Sequence, residues 1–309
     1  MSESRKGWHF WNSAYFLLSV TALMWGANAV AGKIATGLIP PFTLTALRWS
    51  FAALCFYFLC RPTLPAAMPI VRRNAGYLFL LGVLGFATFN FGLYGALQYT
   101  SAMNVTIEQS AMPMLILLGM VVFYRERATL LQILGAIVAI GGVLFTACHG
   151  NVDSLLMLNL NIGDALMMAT NLLYAGYSIA LKKKPQISWQ VLMFTTTFAA
   201  AIASVPVAAV EMAYGNLPVV NWLSIGLVAF VVIFPSLIAQ TFFVRGVELI
   251  GAGRAGLFTN LVPIFGSALA VIVLGERFQL YHAVGLFLVL GGIALAEVSS
   301  RRIPLTPPV

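Results

Sequence analysis

"YRERATLLQILGAIVAIGGVL" occupies residues 124–144, and "LGERFQLYHAVGLFLVLGGIAL" occupies residues 274–295. Set 150 positions apart without a gap, Glu126 falls on Glu276, Arg127 on Arg277 and Leu130 on Leu280, while Gly135, Gly141 and Gly142 fall on Gly285, Gly291 and Gly292. Further marks recur at that offset: Ala102 on Ala252, Pro113 on Pro263 and Val121 on Val271. At an offset of 149, Ala31 falls on Ala180 and Lys33 on Lys182. One unit is written twice.

Composition says what medium the two copies occupy. Of 309 residues, 61% are hydrophobic and 8% charged, and the mean hydropathy is +0.93, far outside the range of a soluble globular domain. Hydrocarbon cannot hydrogen-bond a backbone, so each crossing is a helix or part of a closed barrel, and long unbroken apolar runs favour helices. With about 20 residues per crossing, helices are expected at 12–34, 41–60, 75–97, 103–123, 129–147, 161–181, 188–210, 222–243, 254–274 and 279–298. Breakers fill the links: "LIPPF" at 38–42, "RPTLPAAMP" at 61–69, "KKKPQ" at 182–186 and "YGNLP" at 214–218. The expected fold class is an all-α polytopic membrane protein. A tail 1–11, a first five-helix repeat 12–147, a linker 148–160, a second five-helix repeat 161–298 and a tail 299–309 divide it.

The net charge of +8 is spread in ones, twos and threes at the ends of apolar runs, which reads as topology and not as nucleic-acid binding. With a cytoplasmic N-terminus, one side collects Arg5, Lys6, Arg61, Arg72, Arg73, Arg125, Arg127, Lys182, Lys183, Lys184, Arg245, Arg254, Arg301 and Arg302. The outer side keeps Lys33 and Arg277. Both termini are then cytoplasmic. A unit repeated after five helices, an odd number, re-enters the membrane upside down, so the ten transmembrane helices form two inverted five-helix repeats. Inverted repeats let two near-equivalent halves exchange conformations around a midplane site, as in secondary transporters; duplication for folding alone is the plainer alternative.

"WGANAVAGKIATGLIPPFTLTALRW" at 25–49 resembles the start of a repeat in the drug/metabolite transporter superfamily, in its EamA branch, through Trp25, Gly26, Asn28, Lys33, Pro41 and Arg48. The two glutamate-and-glycine stretches resemble that family's corner between helices 4 and 5, and Pro113 and Pro263 sit where its helices 4 and 9 carry a proline. The resemblance implies ten helices in two inverted repeats and export of small metabolites, often amino acids, across the bacterial inner membrane. Length and aromatic-rich helices make the chain most similar to the YddG type of aromatic amino-acid exporter. It departs from the pattern at Tyr124-Arg125-Glu126, where the second copy has Leu274-Gly275-Glu276, and at Tyr174-Ala175, where the first has Trp25-Gly26.

Several polar and aromatic residues sit where apolar ones would suffice. On the third helix Phe86, Asn90, Tyr94 and Gln98 recur every four residues, a stripe turning slowly around one face. Asn facing lipid is costly, so the face should look at protein or water; interhelical hydrogen bonding without substrate is the alternative. Trp25 and Asn28 on the first helix, Asn171, Tyr174 and Tyr177 on the sixth, Gln240 on the eighth, and Asn260 on the ninth join Asn90 and Tyr94 as expected substrate-binding residues, with Ser236 a further polar group on the eighth. Their rings can stack on an apolar side chain, and their amides can orient an amino acid's charged groups. Trp8, Trp11 and Trp222 read as interface anchors.

Glu108, one turn after Asn104, can bind a substrate ammonium or carry a coupling proton; its repeat partner is Phe258. Arg48 is expected in a structural polar pair, with a substrate carboxylate as the sharper reading. Lys33 is expected to snorkel or to gate. Glu126 and Glu276 are expected to cap N–H groups of the helix that follows each corner, or to gate. Pro113, Pro263, Pro206 and Pro235 interrupt helical hydrogen bonds.

Cys55, Cys60 and Cys148 lack metal-ligand spacing, and no GxxxxGK[ST] loop or nucleophile motif is present. The sequence therefore reads as a secondary or facilitative transporter of small metabolites, aromatic or other neutral amino acids first, with no cofactor and proton coupling open. Its partners are a small-molecule substrate and the lipid bilayer, as a monomer or homodimer. A drug or other metabolite exporter of the same superfamily is one alternative; an intramembrane enzyme acting on lipid-linked substrates is another. Impermeant labelling of single cysteines is expected to find the 124–129 and 275–279 corners on opposite faces of the membrane. Labelling from one face would remove the inverted topology.

Overall fold

A helix in lipid still has to find partners for its first N–H groups, and this chain supplies them from side chains. Ser101 Oγ accepts from Asn104 N at 3.0 Å, Asn161 Oδ1 from Gly163 N at 2.7 Å, and Asn221 Oδ1 from Ser224 N at 2.8 Å. Thr129 and Gln132 form a reciprocal capping box.

The computed structural model describes residues 9–151 and 161–300. Arg5, Lys6, Trp8, Arg301 and Arg302, with most of the 148–160 linker and most of both tails, lie outside the described residues. Among those residues the chain is helical, without strands. The long helices are α1 (Ala14–Ala35), α2 (Pro41–Cys60), α3 (Ala75–Ala96), α4 (Ala102–Tyr124), α5 (Leu130–Ala147), α6 (Ile162–Ala180), α7 (Trp189–Ala213), α8 (Trp222–Ile250), α9 (Arg254–Leu274) and α10 (Leu280–Val298). Nine of them, all but α6, are long and apolar enough to cross a membrane. Asp164, Asn171, Tyr174 and Tyr177 dilute the apolar content of α6, and those side chains turn towards other helices.

Two boundaries differ from the sequence expectation. The 61–69 link contains a short helix, Leu64–Arg73; Pro65 is tolerated in its first turn, where the N–H would be unpaired anyway. α8 runs on past 243 to Ile250, held by Arg245 Nη1 donating to Glu248 Oε2 at 3.0 Å, one turn apart.

Duplication is visible in irregularities as much as in helices. α3 carries a π-helical turn at Val83–Thr88, and α8 carries another at Ile233–Ile238, 150 residues on. α4 breaks after Gln109, with Pro113 in the first turn of Met112–Tyr124, and α9 breaks through Phe258–Leu261 before Val262–Leu274, with Pro263 in the same place. Both of those segments end in a left-handed residue, Arg125 at φ 55° and Gly275 at φ 68°. Both are closed by one bond back across the last turn, Glu126 N to Met120 O at 3.4 Å and Glu276 N to Ala270 O at 3.2 Å. Gly275 adopts that conformation freely; Arg125 adopts it at about 1 kcal/mol of strain.

Helix partners also exchange in pairs. α1 packs on α8 and α9 as α6 packs on α3 and α4, while α2 packs on α7 and α5 on α10. The α5–α10 seam consists of the very glycines that recur in the two opening stretches. A Cβ on Gly135 would lie 2.4 Å from Gly292 O, and one on Gly292 would lie 2.4 Å from Gly135 O. Gly142 and Gly285 repeat that close approach one heptad away, whereas Gly141 and Gly291 face open space. Small residues let backbones touch where lipid supplies no hydrophobic drive between helices. Gly292→Ala is expected to destabilise the protein by about 1–3 kcal/mol through overpacking, seen as a lower unfolding temperature in detergent, while Gly291→Ala leaves it unchanged or slightly higher.

Candidate functional site

Where α1, α2, α3 and α8 converge, the eighth residue of α2, Arg48, is 5% exposed. Its Nε donates to Ser236 Oγ at 2.8 Å; its Nη1 donates to Asn28 Oδ1 at 2.8 Å, Asn90 Oδ1 at 2.9 Å and Tyr94 Oη at 2.6 Å. Tyr94 Oη in turn donates to Asn28 Oδ1 at 3.1 Å. No carboxylate pairs with this guanidinium among the described residues, whose ion pairs join Lys182 to Glu126 and Arg245 to Glu248. Nη2 makes no hydrogen bond to any described residue. A full positive charge is thus held by neutral dipoles and by the Trp49 ring, 4.7 Å from the guanidinium carbon, with two N–H groups left over.

The two π turns explain how the helices reach this point. Pro235 has no N–H, so Val231 O loses its helical partner and accepts from Ser236 Oγ at 2.7 Å. Trp25 Nε1 donates to Pro235 O at 3.3 Å and Thr21 Oγ1 to Ala239 O at 3.3 Å. On α3, Phe86 O accepts from Trp49 Nε1 at 3.1 Å and from Asn90 Nδ2 at 2.8 Å. A π turn's wider spacing keeps residues four apart on one face. Phe86, Asn90 and Tyr94 all lie buried on that face, while Gln98, the last of the stripe, donates to Tyr94 O at 3.4 Å beside a side cleft.

Aromatic rings line the next layer. Trp49 and Phe86 meet edge to face at 4.8 Å and Phe86 and Tyr177 at 5.9 Å, while Tyr177 and Tyr174 at 5.3 Å and Tyr174 and Phe89 at 4.8 Å pack at a tilt. Gly85 sits against the Tyr177 ring. Tyr174, Tyr177 and Asn90 therefore belong to one neighbourhood, next to Arg48. Trp25 is half-buried and packs on Phe243 at 5.3 Å, and Gln240 is half-buried on α8. Asn260 stands apart, its Nδ2 donating to Glu297 Oε1 at 3.4 Å on α10.

Glu108 belongs to a second polar centre, at the contact of α4 with α6 and α10. Its carboxyl is fully buried and faces that of Asp164, also fully buried. Among the described residues neither Glu108 oxygen has a hydrogen-bond partner, nor does Asp164 Oδ2 or Asn171 Oδ1. Asn171 Nδ2 donates to Glu108 O at 2.9 Å. Asn104 Nδ2 donates to Asp164 Oδ1 at 3.4 Å and to Thr100 Oγ1 at 3.2 Å, and lies 3.5 Å from Nε2 of exposed His149. Gln279 N donates to His282 Nδ1 at 2.9 Å, which leaves Nε2–H to donate to Asn104 Oδ1 at 3.0 Å.

The corner glutamates depart from the expected capping of the helix that follows. Glu276 instead accepts from Ala102 N at 2.8 Å and Met103 N at 3.0 Å, capping α4 of the other half. Lys33 beside it donates to Leu97 O at 2.8 Å and Thr100 O at 2.7 Å. The α5 start already has its capping box and the α10 start has His282, so neither needs the corner carboxylate. At the other corner Glu126 pairs with Lys182 at 2.5 Å in a solvent-exposed bridge, with Lys182 also 4.6 Å from the Tyr124 ring. Pro113 and Pro263 mark the breaks already described.

Asp164, His149, His282 and Glu211 were absent from the sequence expectation. Asp164 looks like an ordinary first-turn acid complementing a helix dipole, and only the packing of α4 beside it shows otherwise. Glu211 caps α2, accepting from Thr43 N at 2.7 Å and Phe42 N at 3.3 Å, a pairing 168 residues apart for Thr43 that no local spacing announces. A cleft of about 380 Å³ opens between the start of α2, α3 and α6, lined by Phe42, Phe91, Gly92, Gln98, Leu166 and Thr170 among others. Arg48, Asn90 and Tyr94 are not part of it.

The family model described as "EamA-like transporter family" matches the chain twice, over residues 12–148 and 161–297. This chain belongs to the EamA-like transporter family. Among EamA-like relatives, the uncharacterized transporter YyaM of Bacillus subtilis is 25% identical over 92% of this chain and 93% of its own length. The uncharacterized transporter YetK of the same organism is 26% identical over 94% and 88%. The S-adenosylmethionine/S-adenosylhomocysteine transporter of Chlamydia trachomatis is 26% identical over 90% and 87%. A crystal structure at 21% identity superposes with a TM-score of 0.62, covering 94% of this chain and 99% of that one, a likeness of fold. As an EamA-like protein the chain is a multi-pass membrane transporter of small molecules and not an enzyme. Arg48→Lys is expected to destabilise it by about 1–3 kcal/mol, because an ammonium cannot span Ser236, Asn28, Asn90 and Tyr94 together; thermal unfolding in detergent measures this.

Proposed function

We propose that this EamA-like protein exports amino acids or closely similar metabolites across the bacterial inner membrane. It does so by alternating access of two inverted five-helix repeats, ten crossings in all, with both termini in the cytoplasm. The observation that carries the reading is Arg48: a buried guanidinium with neutral partners, two unused N–H groups and no carboxylate of its own. A carboxylate is the group that completes such a centre, since its oxygens accept charge-assisted hydrogen bonds from the Nη2 N–H groups left over. The rings of Tyr174, Tyr177, Phe86 and Phe89 next to it suit an aromatic or apolar side chain. Asn28, Asn90 and Tyr94 hold the guanidinium in place, and Trp25 ties α1 to the π turn of α8, so motion of that helix is felt at the site.

Alternating access is supported by the paired irregularities. Breaks in α4 and α9 and π turns in α3 and α8 give both halves the same bending points. The corners differ in closure, with Lys33 and Glu276 bonded into the backbone on one side and Lys182 and Glu126 in an exposed bridge on the other. Each arrangement is available in principle to the opposite half.

A second reading is favoured by the chlamydial relative, whose name gives S-adenosylmethionine as its cargo. That molecule also joins an α-carboxylate to an aromatic ring system, so both readings use Arg48 in the same way. Counterflow in liposomes with radiolabelled Phe, Thr and S-adenosylmethionine separates them. Accelerated uptake of at least one against the same internal compound is the expected result, and no flux of any would leave a drug or other metabolite exporter. Arg48→Gln should cut flux of a carboxylate-bearing substrate by about 10–100-fold, the loss of one charged contact. It should do so far more than for phenylalaninamide, which lacks the carboxylate. Equal losses for both would remove Arg48 from the binding site.

A further inference from the structure

Four buried acceptor oxygens without a hydrogen-bond partner lie at the α4–α6 contact: both of Glu108, Oδ2 of Asp164 and Oδ1 of Asn171. They are four of the seven buried side-chain nitrogen and oxygen atoms without a partner among the described residues, and each belongs to a residue at most 1% exposed. What the cluster lacks is a donor. The neighbouring cations are already committed: Lys33 to the carbonyls of Leu97 and Thr100, and Arg48 to the other polar centre. Around Glu108 stand Asp164 from α6, His149 beyond the end of α5, and Tyr281 and His282 from α10, while Glu276 is spent on the N-terminus of α4.

Two ionised carboxylates facing each other away from water repel, and both lose their hydration. One proton removes both costs, since it turns a carboxylate into a donor for the oxygen opposite. We propose that Glu108 and Asp164 form a proton-binding pair that holds one proton between them, exchanges it through His149 with water on the Glu276 side, and couples its inward passage to substrate export. Each transfer breaks one O–H or N–H bond as the next one forms, carboxyl to imidazole and imidazole to water, with no other chemistry. Protonated, the pair lets α4 and α6 close on each other; deprotonated, its repulsion separates them. His149 is exposed yet within 3.5 Å of the Asn104 amide that also bonds Asp164, which makes it the last stop before water.

The coupling rests on the transport reading, so two measurements keep the failures apart. Infrared spectra of the reconstituted protein at neutral pH should show the carbonyl band of a protonated carboxylic acid, lost in Glu108→Gln and lost or moved in Asp164→Asn. This holds whatever the cargo, and a wild-type spectrum without that band overturns the proposal. In liposomes, each pH unit across the membrane should sustain about a tenfold gradient of a neutral amino acid, as for one-to-one exchange. Glu108→Gln should sustain none, and Glu108→Asp should restore part of it. Gradient-driven accumulation that survives in Glu108→Gln overturns the coupling, as does a drive that follows sodium and ignores pH. Absence of flux in wild type with the infrared band present refutes the coupling step and the transport reading while leaving the proton pair established.

Discussion

A peptide group in hydrocarbon has no partner except protein, and every unusual feature of this chain is a way of meeting that demand. Regular helix meets it for most residues. Where the helix is interrupted at the π turns of α3 and α8, carbonyls take hydrogen bonds from named side chains. Trp49 and Asn90 serve Phe86 O; Trp25 serves Pro235 O; Ser236 serves Val231 O. The polar residues of the interior are therefore no scatter of hydrophilic positions. They gather at the irregular turns because that is where the backbone needs them, and the same gathering yields a buried site.

Arg48 stands at the junction of backbone repair and chemistry. Ser236 reaches Arg48 because it already bonds Val231 O, and Asn90 reaches it because its amide nitrogen is anchored on Phe86 O. The guanidinium is thereby held by groups that are themselves fixed, which preorganises a positive centre before any anion arrives. A charge held this way is costly unless function uses it, which is the physical ground for placing the cargo's carboxylate there.

The two halves share a plan and differ in detail, and the differences are directional. Left-handed Gly275 ends its helix without strain, where Arg125 does so with some. Glu276 and Lys33 are drawn into backbone contacts, while their counterparts Glu126 and Lys182 meet in water. Glu108 faces Asp164 in one half, where the repeat offers Phe258 and Tyr15. A duplicated scaffold thus carries unequal fittings in its two halves.

The helices, their lengths and their duplication were legible in the amino-acid order, because apolar runs, breakers and a constant offset are local or periodic signals. So were Asn28, Arg48, Asn90 and Tyr94 as residues with no reason to face lipid. Partnership was not legible. That Arg48 takes four neutral partners on three other helices, that Glu276 caps α4 across 174 residues, and that Asp164 meets Glu108 all depend on which helix faces cross. Sequence alone determined the medium, the elements and the repeat, since each follows from transfer free energy along the chain. Which polar groups end up paired, shared or left without a donor was decided only when the helices packed, because a side chain's partners in lipid are whatever the neighbouring backbone brings within about 3 Å.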